Sequence, residues 1–266
     1  MDTTTRKDLR LGIDVGGTAI KYGVVDTHTG SLLGDLAQLP TPYPATPDAV
    51  CDAVRTVAST VQKWEFAPTP QAAVGVAFPA IIRAGVACSA ANISDEWIGQ
   101  EVDALLGQAL KRPVSVLNDA DAAGLAESRQ GAGEGLGGVV LILTLGTGIG
   151  SALVVDGVLV PNFELGHLEI DGSKAEATTS AVARQNEGLS WEQYSRRLQR
   201  YLSHVEFLFS PDLIIMGGGI SVRHAEFLPQ LRLTTPVLPA KLHNTAGVIG
   251  AALSVGSAAL DYRAHN

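Results

Sequence analysis

Cysteine, aromatic residues and positive charge are all scarce in this chain of 266 residues. Its two cysteines, Cys51 and Cys88, allow at most one bridge, which excludes a disulfide framework and a Cys-rich zinc site. Lys and Arg number 19 against 27 Asp and Glu, a net charge of −8. Nucleic-acid binding ordinarily needs a basic face, so no nucleic-acid partner is expected. A phosphorylated substrate stays open, because a local cationic groove works on an acidic protein. No stretch approaches the ~20 apolar residues of a membrane span. The opening "MDTTTRKDLRLGID" has no apolar core of a secretory signal, so the expectation is a cytoplasmic protein with no membrane partner. Asn92-Ile93-Ser94 has the form of a glycosylation sequon, which without an export signal reads as coincidence. A P-loop is missing too. "GEGLGG" at 133–138 matches G-x-G-x-x-G, but it follows a helix and precedes a strand, the wrong order for a dinucleotide fold.

What the chain does have is apolar residues, 46% of the total, with only 17% charged, enough for a sizeable core. The length suits one large α/β domain or two compact lobes. "LRLGIDVGGTAIKYGVVDTHTGSLL" (9–33) reads as strand, glycine turn, strand, polar turn, strand. In the next segment Thr46 is placed as an N-cap and Pro47 as the first helical residue, and Val50, Val54, Val57, Val61 and Trp64 share one face. "AAVGVAFP" and "VSVLN" read as strands, "VDALLGQALK" and "ADAAGLAESRQ" as helices. The order then restarts with "GGVVLILTLGTGIGSALVVDGVLV": laying Gly16 on Gly146 puts Val24, Val25 and Asp26 on Val154, Val155 and Asp156 without a gap. A helix follows, with Ser190 and Gln193 as a capping box and Trp191, Tyr194, Leu198, Tyr201, Val205 and Leu208 along one side. "LIIMGGGIS" is a strand running into glycines, and "TAGVIGAALSVGSAAL" a final small-residue helix. A meander with helices, used twice, predicts two related lobes facing each other across a cleft.

"DVGGTAIK" and "LGTGIGS" are glycine turns between strands, and such turns are ordinarily only tight turns. Two at matching places carry more weight: without Cβ atoms the backbone N–H groups approach phosphate oxygens closely. Thr18, Lys21, Thr144 and Thr147 add hydroxyl and ammonium donors. Asp14, on the strand before the first loop, suits a hydrated Mg²⁺ better than a phosphate, so a contact through water is expected. "MGGG", Met216 to Gly219, either admits a flat ring or a phosphate against backbone or merely caps its strand. "PNFELGHLEID" gathers Glu164, His167, Glu169 and Asp171. Its E-x-x-H spacing suits a metal only on a helix, which Pro161, Asn162 and Gly166 oppose. A solvated acidic loop and a cluster binding sugar hydroxyls both remain open. In "NDADAAG", Asp119 at a strand end is a candidate base for an acceptor hydroxyl, Asn118 a holder of a neighbouring hydroxyl, and Asp121 a helix cap.

"IDVGGTAIK", "LNDADAAG", "LTLGTGIGSALVVDGVLVPNFELGHLEI" and "IIMGGGIS", in this order, resemble the ROK family of sugar kinases. The resemblance implies an α/β, two-lobed, duplicated actin/hexokinase-like (ribonuclease H-like) fold with the active site in the cleft. Residues 1–117 with a C-terminal helix at about 246–266 would form one lobe, and 118–245 the other. It implies Asp119 as general base and Asn92, Asn118, Glu164, His167 and Glu176 as sugar contacts. Gly16, Gly17, Thr18 and Lys21, with Thr144, Gly146, Thr147 and Gly148, would hold phosphates, and Gly217, Gly218 and Gly219 the adenosine side. Many ROK proteins carry a cysteine-rich zinc loop after this histidine. "LEIDGSKAE" is short and has no cysteine, so no structural zinc is expected.

That shortened loop is similar to the polyphosphate glucokinase branch. The branch implies glucose, and mannose with it, as acceptors, with inorganic polyphosphate and/or ATP as donors with Mg²⁺, and a homodimer. A strictly ATP-dependent hexose or N-acyl-hexosamine kinase and a non-catalytic sugar sensor are the alternatives. About ten residues precede the first strand, too few for the helix-turn-helix of ROK repressors. Lys21, Arg83, Lys174, Arg232 and Lys241 are candidates for a cationic track, whereas Arg196, Arg197 and Arg200 read as the solvated face of a helix.

Overall fold

A computed structural model of the protein describes residues 6–256. The chain forms two compact units, one of residues up to Ala126 and from Asn244 onward, the other of Glu127–His243.

The first unit is built on β1 (Leu9–Val15), β2 (Ala19–Asp26), β3 (Ser31–Pro40), β4 (Val74–Phe78) and β5 (Val114–Asn118), in the order β3-β2-β1-β4-β5. The meander pairs antiparallel, and β1, β4 and β5 run parallel. Parallel neighbours need crossovers, and α1 (Pro47–Val61) and α2 (Val102–Leu110) lie in the connections. The Thr46 hydroxyl caps α1 by accepting from the Ala49 N–H at 3.4 Å. Val50, Val54, Val57 and Val61 are buried on its core face. Trp64 falls beyond the helix and stacks on Tyr22 at 5.9 Å. α3 (Asp119–Gln130) leaves the end of β5 and carries the chain into the second unit.

The second unit repeats the plan with β6 (Val139–Leu145), β7 (Ile149–Val155), β8 (Val158–Val160), β9 (Leu213–Gly217) and β10 (Val237–Pro239), in the order β8-β7-β6-β9-β10. Its antiparallel and parallel pairs fall in the same places as in the first sheet. The duplicated α/β fold expected from the paired meanders is therefore present. The gapless overlay nonetheless hides a shift of one residue: Val15 faces Ile20 across the first glycine turn, whereas Leu145 faces Ile149 across the second.

α4 (Trp191–Phe209) starts with both hydrogen bonds of the Ser190/Gln193 capping box. It buries Tyr194, Leu198, Tyr201, Leu202 and Val205. Leu208, expected on that face, is 49% exposed, whereas Leu202 is buried and Phe209 packs on the core, because a 3.6-residue helix drifts off the strict seven-residue spacing. Arg196, Arg197 and Arg200 pair with Glu192, Glu187 and Asp171 on the solvent side.

α5 (Ala246–Ser254) returns to the first unit and lies on β1 and β4. A side chain at Gly12 or Gly75 would run into the carbonyls of Val248 and Ala251, so these two glycines set how closely the helix approaches the sheet. The rest of the expected final helix, from residue 257, and the first five residues lie outside the described residues. No helix among the described residues is long and apolar enough to cross a membrane. Cys51 and Cys88 are free thiols.

Candidate active site

In the first unit the carboxyl ends of β1, β4 and β5 lie side by side, the usual ligand edge of a parallel sheet. Asp14 stands near the end of β1, opposite Lys21 on β2, with Nζ 3.5 Å from Oδ2. Burial pushes the Asp14 carboxyl above its ordinary value, and the Lys21 ammonium offsets part of that rise. A Cβ on Gly247, in the first turn of α5, would come within 2.8 Å of the Asp14 carboxyl, so the bare helix end is what admits it. Among the described residues no group of three or more His, Cys, Asp and Glu is placed to hold a metal ion. A single carboxylate beside a phosphate loop is nevertheless the usual protein share of a Mg²⁺ site, the remaining ligands being water and phosphate oxygens.

The first glycine loop, Gly16 to Thr18, is fastened from behind by Thr41, whose hydroxyl donates to the Gly16 carbonyl at 2.5 Å and whose N–H donates to the Thr18 carbonyl at 3.0 Å. Gly17 packs on Asn92: a Cβ there would lie 2.6 Å from the Asn92 Cβ. Asn92 has φ 61°, a left-handed conformation that asparagine tolerates, and the Ala91 N–H anchors the segment on the Pro79 carbonyl at 2.9 Å. The loop and Asn92 are thus brought together.

The corner after β5 is arranged differently from the expectation. Asn118, not Asp121, caps α3: its Oδ1 accepts from the N–H groups of Ala120 at 2.8 Å and Asp121 at 3.2 Å. Its amide donates to the Ala80 carbonyl at 3.1 Å, which ties the end of β5 to the loop after β4. Asp121 is buried inside the first turn. Asp119, the first residue of α3, is exposed at the strand-end edge, and its Oδ1 accepts from the Ala120 N–H at 2.8 Å.

In the second unit, Thr144 pairs with Gly217 across β6 and β9, placing the second glycine loop beside the "MGGG" turn. Gly218 has φ 80°, and a Cβ there would run into the Leu145 backbone, so the contact requires glycine twice over. The Val182 N–H donates to the Gly146 carbonyl at 3.2 Å and holds the loop from the other side. Thr147 is exposed at its tip.

The E-x-x-H segment forms a single 3₁₀ turn, Leu165–His167, closed by the His167 N–H on the Glu164 carbonyl at 3.0 Å. The expectation of no helix there holds only in part. Asn162, at φ 64°, turns the chain in, and the following residues complete an i→i+3 turn that needs no longer helix. His167 Nε2 lies 3.3 Å from Glu176 Oε1. A Cβ on Gly148 would lie 2.6 Å from Glu176 Oε2, so Glu176 is gathered with His167 against the second loop. Burial raises the Glu164 pKa above its ordinary value, His167 draws it down and the Glu176 charge raises it further. Glu169 and Asp171 are exposed and stand apart from this group; Asp171 pairs with Arg200 at 2.9 Å.

Sequence reasoning missed the residue that ties this segment to the sheet. The buried Ser151 hydroxyl donates to the Phe163 carbonyl at 2.6 Å and accepts from the Leu165 N–H at 2.9 Å. A serine at an inward position of an otherwise apolar strand was the available signal.

Comparison with known proteins gives the family. The ROK family model matches residues 10–181. A polyphosphate glucokinase of Mycobacterium tuberculosis is 44% identical over 245 residues, covering 92% of this chain and 90% of that protein. The crystal structure of an inorganic polyphosphate/ATP-glucomannokinase from Arthrobacter sp. strain KM is 58% identical, with a TM-score of 0.88 over 93% of this chain and 98% of that one. A ROK family glucokinase from Streptomyces griseus, in complex with glucose and AMPPNP, is 26% identical with a TM-score of 0.76, covering 92% and 98% of the two chains. With that family match and those identities, the chain belongs to the ROK family.

Proposed function

We propose that this protein phosphorylates glucose, and mannose with it, at the 6-hydroxyl, drawing the phosphoryl group from inorganic polyphosphate and from ATP. The observation that carries this reading is the exposed strand-end carboxylate Asp119 on the same sheet edge of the first unit as the braced loop Gly16–Thr18, a braced glycine loop recurring in the second unit. The names of the relatives support it: polyphosphate glucokinase and polyphosphate/ATP-glucomannokinase.

Asp119 takes the proton of the attacking hydroxyl, while Asn92 and the remaining N–H of the Asn118 amide hold neighbouring hydroxyls. Glu164, His167 and Glu176 accept and donate to the other ring hydroxyls. Gly16 and Gly146 turn the loops, their N–H groups donating to the Ala19 and Gly148 carbonyls; the N–H groups and hydroxyls of Gly17, Thr18, Thr147 and Gly148, with Lys21 and Thr144, receive the donor phosphates, and Gly217 to Gly219 the adenosine side of ATP. Asp14 would hold Mg²⁺ through water, and the ion would supply neutralisation of donor charge. The names of the polyphosphate glucokinase relatives support glucose as acceptor and polyphosphate as donor; the homodimeric state is an expectation from the family resemblance alone.

A sugar panel tests the reading. Glucose, mannose, N-acetylglucosamine and N-acetylmannosamine are each offered with ATP and with nucleotide-free polyphosphate. Turnover of glucose and mannose with both donors is expected. Turnover confined to ATP and an N-acyl sugar would replace the reading with an N-acyl-hexosamine kinase.

A further inference from the structure

Arg184 and Arg223 of the second unit stand outside the groups described so far. We propose that Arg184 and Arg223, gathered on the indole of Trp191, bind the phosphates of an inorganic polyphosphate chain beyond those reached by the glycine loops. The proposal rests on the reading of this protein as a polyphosphate-using glucose kinase.

Position is the first argument. Arg184 stands in the short helix Ala181–Asn186, two residues after Val182, whose N–H holds the second glycine loop at Gly146. Arg223 ends the 3₁₀ turn Gly219–Arg223, which starts directly after Gly218 on Leu145. Both guanidiniums therefore come from segments that brace the same loop, and they meet on one ring: Arg184 at 3.6 Å and Arg223 at 5.2 Å from the Trp191 centroid.

Charge is the second argument. Arg196, Arg197 and Arg200 are each matched to a carboxylate, and Arg232 donates to the Pro229 and Leu231 carbonyls at 3.0 Å. Among the described residues Arg184 has no carboxylate partner, and its buried Nε has no hydrogen-bond acceptor. Arg223 pairs with Glu226 at 2.9 Å, an exposed contact that a polyanion can displace.

Ligand chemistry follows from the ring. Phe227 stacks on Trp191 at 5.9 Å and 20°, and Arg184 lies over it, so the indole is already packed and offers poor stacking for a purine. Stacked guanidiniums keep their N–H edges outward, a fork matched to phosphate oxygens. A nucleoside triphosphate ends in a ribose and base, whereas polyphosphate continues with anionic units, so this pair distinguishes the two donors.

The test compares donors within each protein. Arg184→Gln, Arg223→Gln and the double variant are assayed with glucose and Mg²⁺ against ATP, tripolyphosphate and long-chain polyphosphate. The KM for long-chain polyphosphate should rise about 10-fold or more per arginine, the loss expected for a charge-assisted hydrogen bond. Its salt dependence should weaken, while the constants for ATP and glucose stay unchanged. If the Gln variants lose ATP turnover through misfolding, Arg184→Lys and Arg223→Lys decide by the same ratio, since lysine keeps the charge and loses the fork. An unchanged KM for long-chain polyphosphate, or an equal rise for ATP, overturns the proposal alone. A wild-type protein that uses ATP but no polyphosphate overturns the donor reading as well.

Discussion

Replacing Asp119 by asparagine separates its chemistry from its place in the fold. Asp119 Oδ1 accepts from the Ala120 N–H at 2.8 Å, and the cap of α3 is made independently by Asn118. Asparagine keeps an oxygen where that contact needs one. It loses a negative charge at a helix start, worth about 0.3–1 kcal/mol at an exposed position. A general base contributes about 10²–10⁴-fold in rate, equivalent to about 2.7–5.5 kcal/mol of barrier. The kinetic effect should therefore exceed the stability effect several times over. The assay is glucose 6-phosphate formation with saturating ATP, run beside urea unfolding and glucose binding by calorimetry. Turnover should collapse while the urea midpoint and glucose affinity stay near wild type. A variant that turns over within a few-fold of wild type would remove Asp119 from the reaction.

Three further outcomes follow from individual contacts. The raised pKa of Glu164 means the folded protein holds that proton more tightly than the unfolded chain does, because burial disfavours the charge. Its stabilising effect is present below the ordinary value of 4.5 and is lost as pH rises through the raised one. With the ionised form accepting sugar hydroxyls in the proposed reaction, the glucose KM should rise as pH falls through the same window, and Glu164→Gln should flatten that part of the profile. Gly218→Ala combines a φ of 80° with a clash on Leu145, so a loss of about 2 kcal/mol or more is expected in urea melts, with weaker donor binding. The buried Glu127 carboxylate accepts from the N–H groups of Ala132 at 2.9 Å, Lys241 at 3.1 Å and Leu242 at 2.7 Å. Glu127→Ala strands those donors and should cost about 3 kcal/mol, read by thermal or urea unfolding. Glu127→Gln keeps one acceptor oxygen and should cost less.

Periodicity and turn chemistry made the large features of the fold legible. The two meanders, the valine face of α1 and the Ser190/Gln193 box are local patterns, and local patterns survive in one dimension. Legibility falls where one of several equivalent residues takes a role. Asn118, Asp119 and Asp121 are all able caps, and the choice depends on which stands at the half-helical position once β5 ends. Leu208 fits a strict seven-residue spacing along α4, yet the 3.6-residue helix drifts from it and Phe209 takes the core-facing place. Other contacts join residues far apart in the chain. The Thr41 brace on the first loop, the Ser151 bracket on the E-x-x-H turn and the Glu127 contact with Lys241 and Leu242 need the folded register to be seen. The grouping of His167 with Glu176 against Gly148 is of the same kind, and of these Glu176 was reachable only through resemblance to ROK kinases.

The most direct test of the central claim is phosphorus NMR of the purified protein with Mg²⁺, glucose and polyphosphate, repeated with ATP. The account predicts one new phosphomonoester signal, identified as glucose 6-phosphate, growing as donor phosphoanhydride falls, with either donor. No phosphomonoester from either donor, with glucose still bound, would contradict it and leave a sugar sensor on a kinase scaffold.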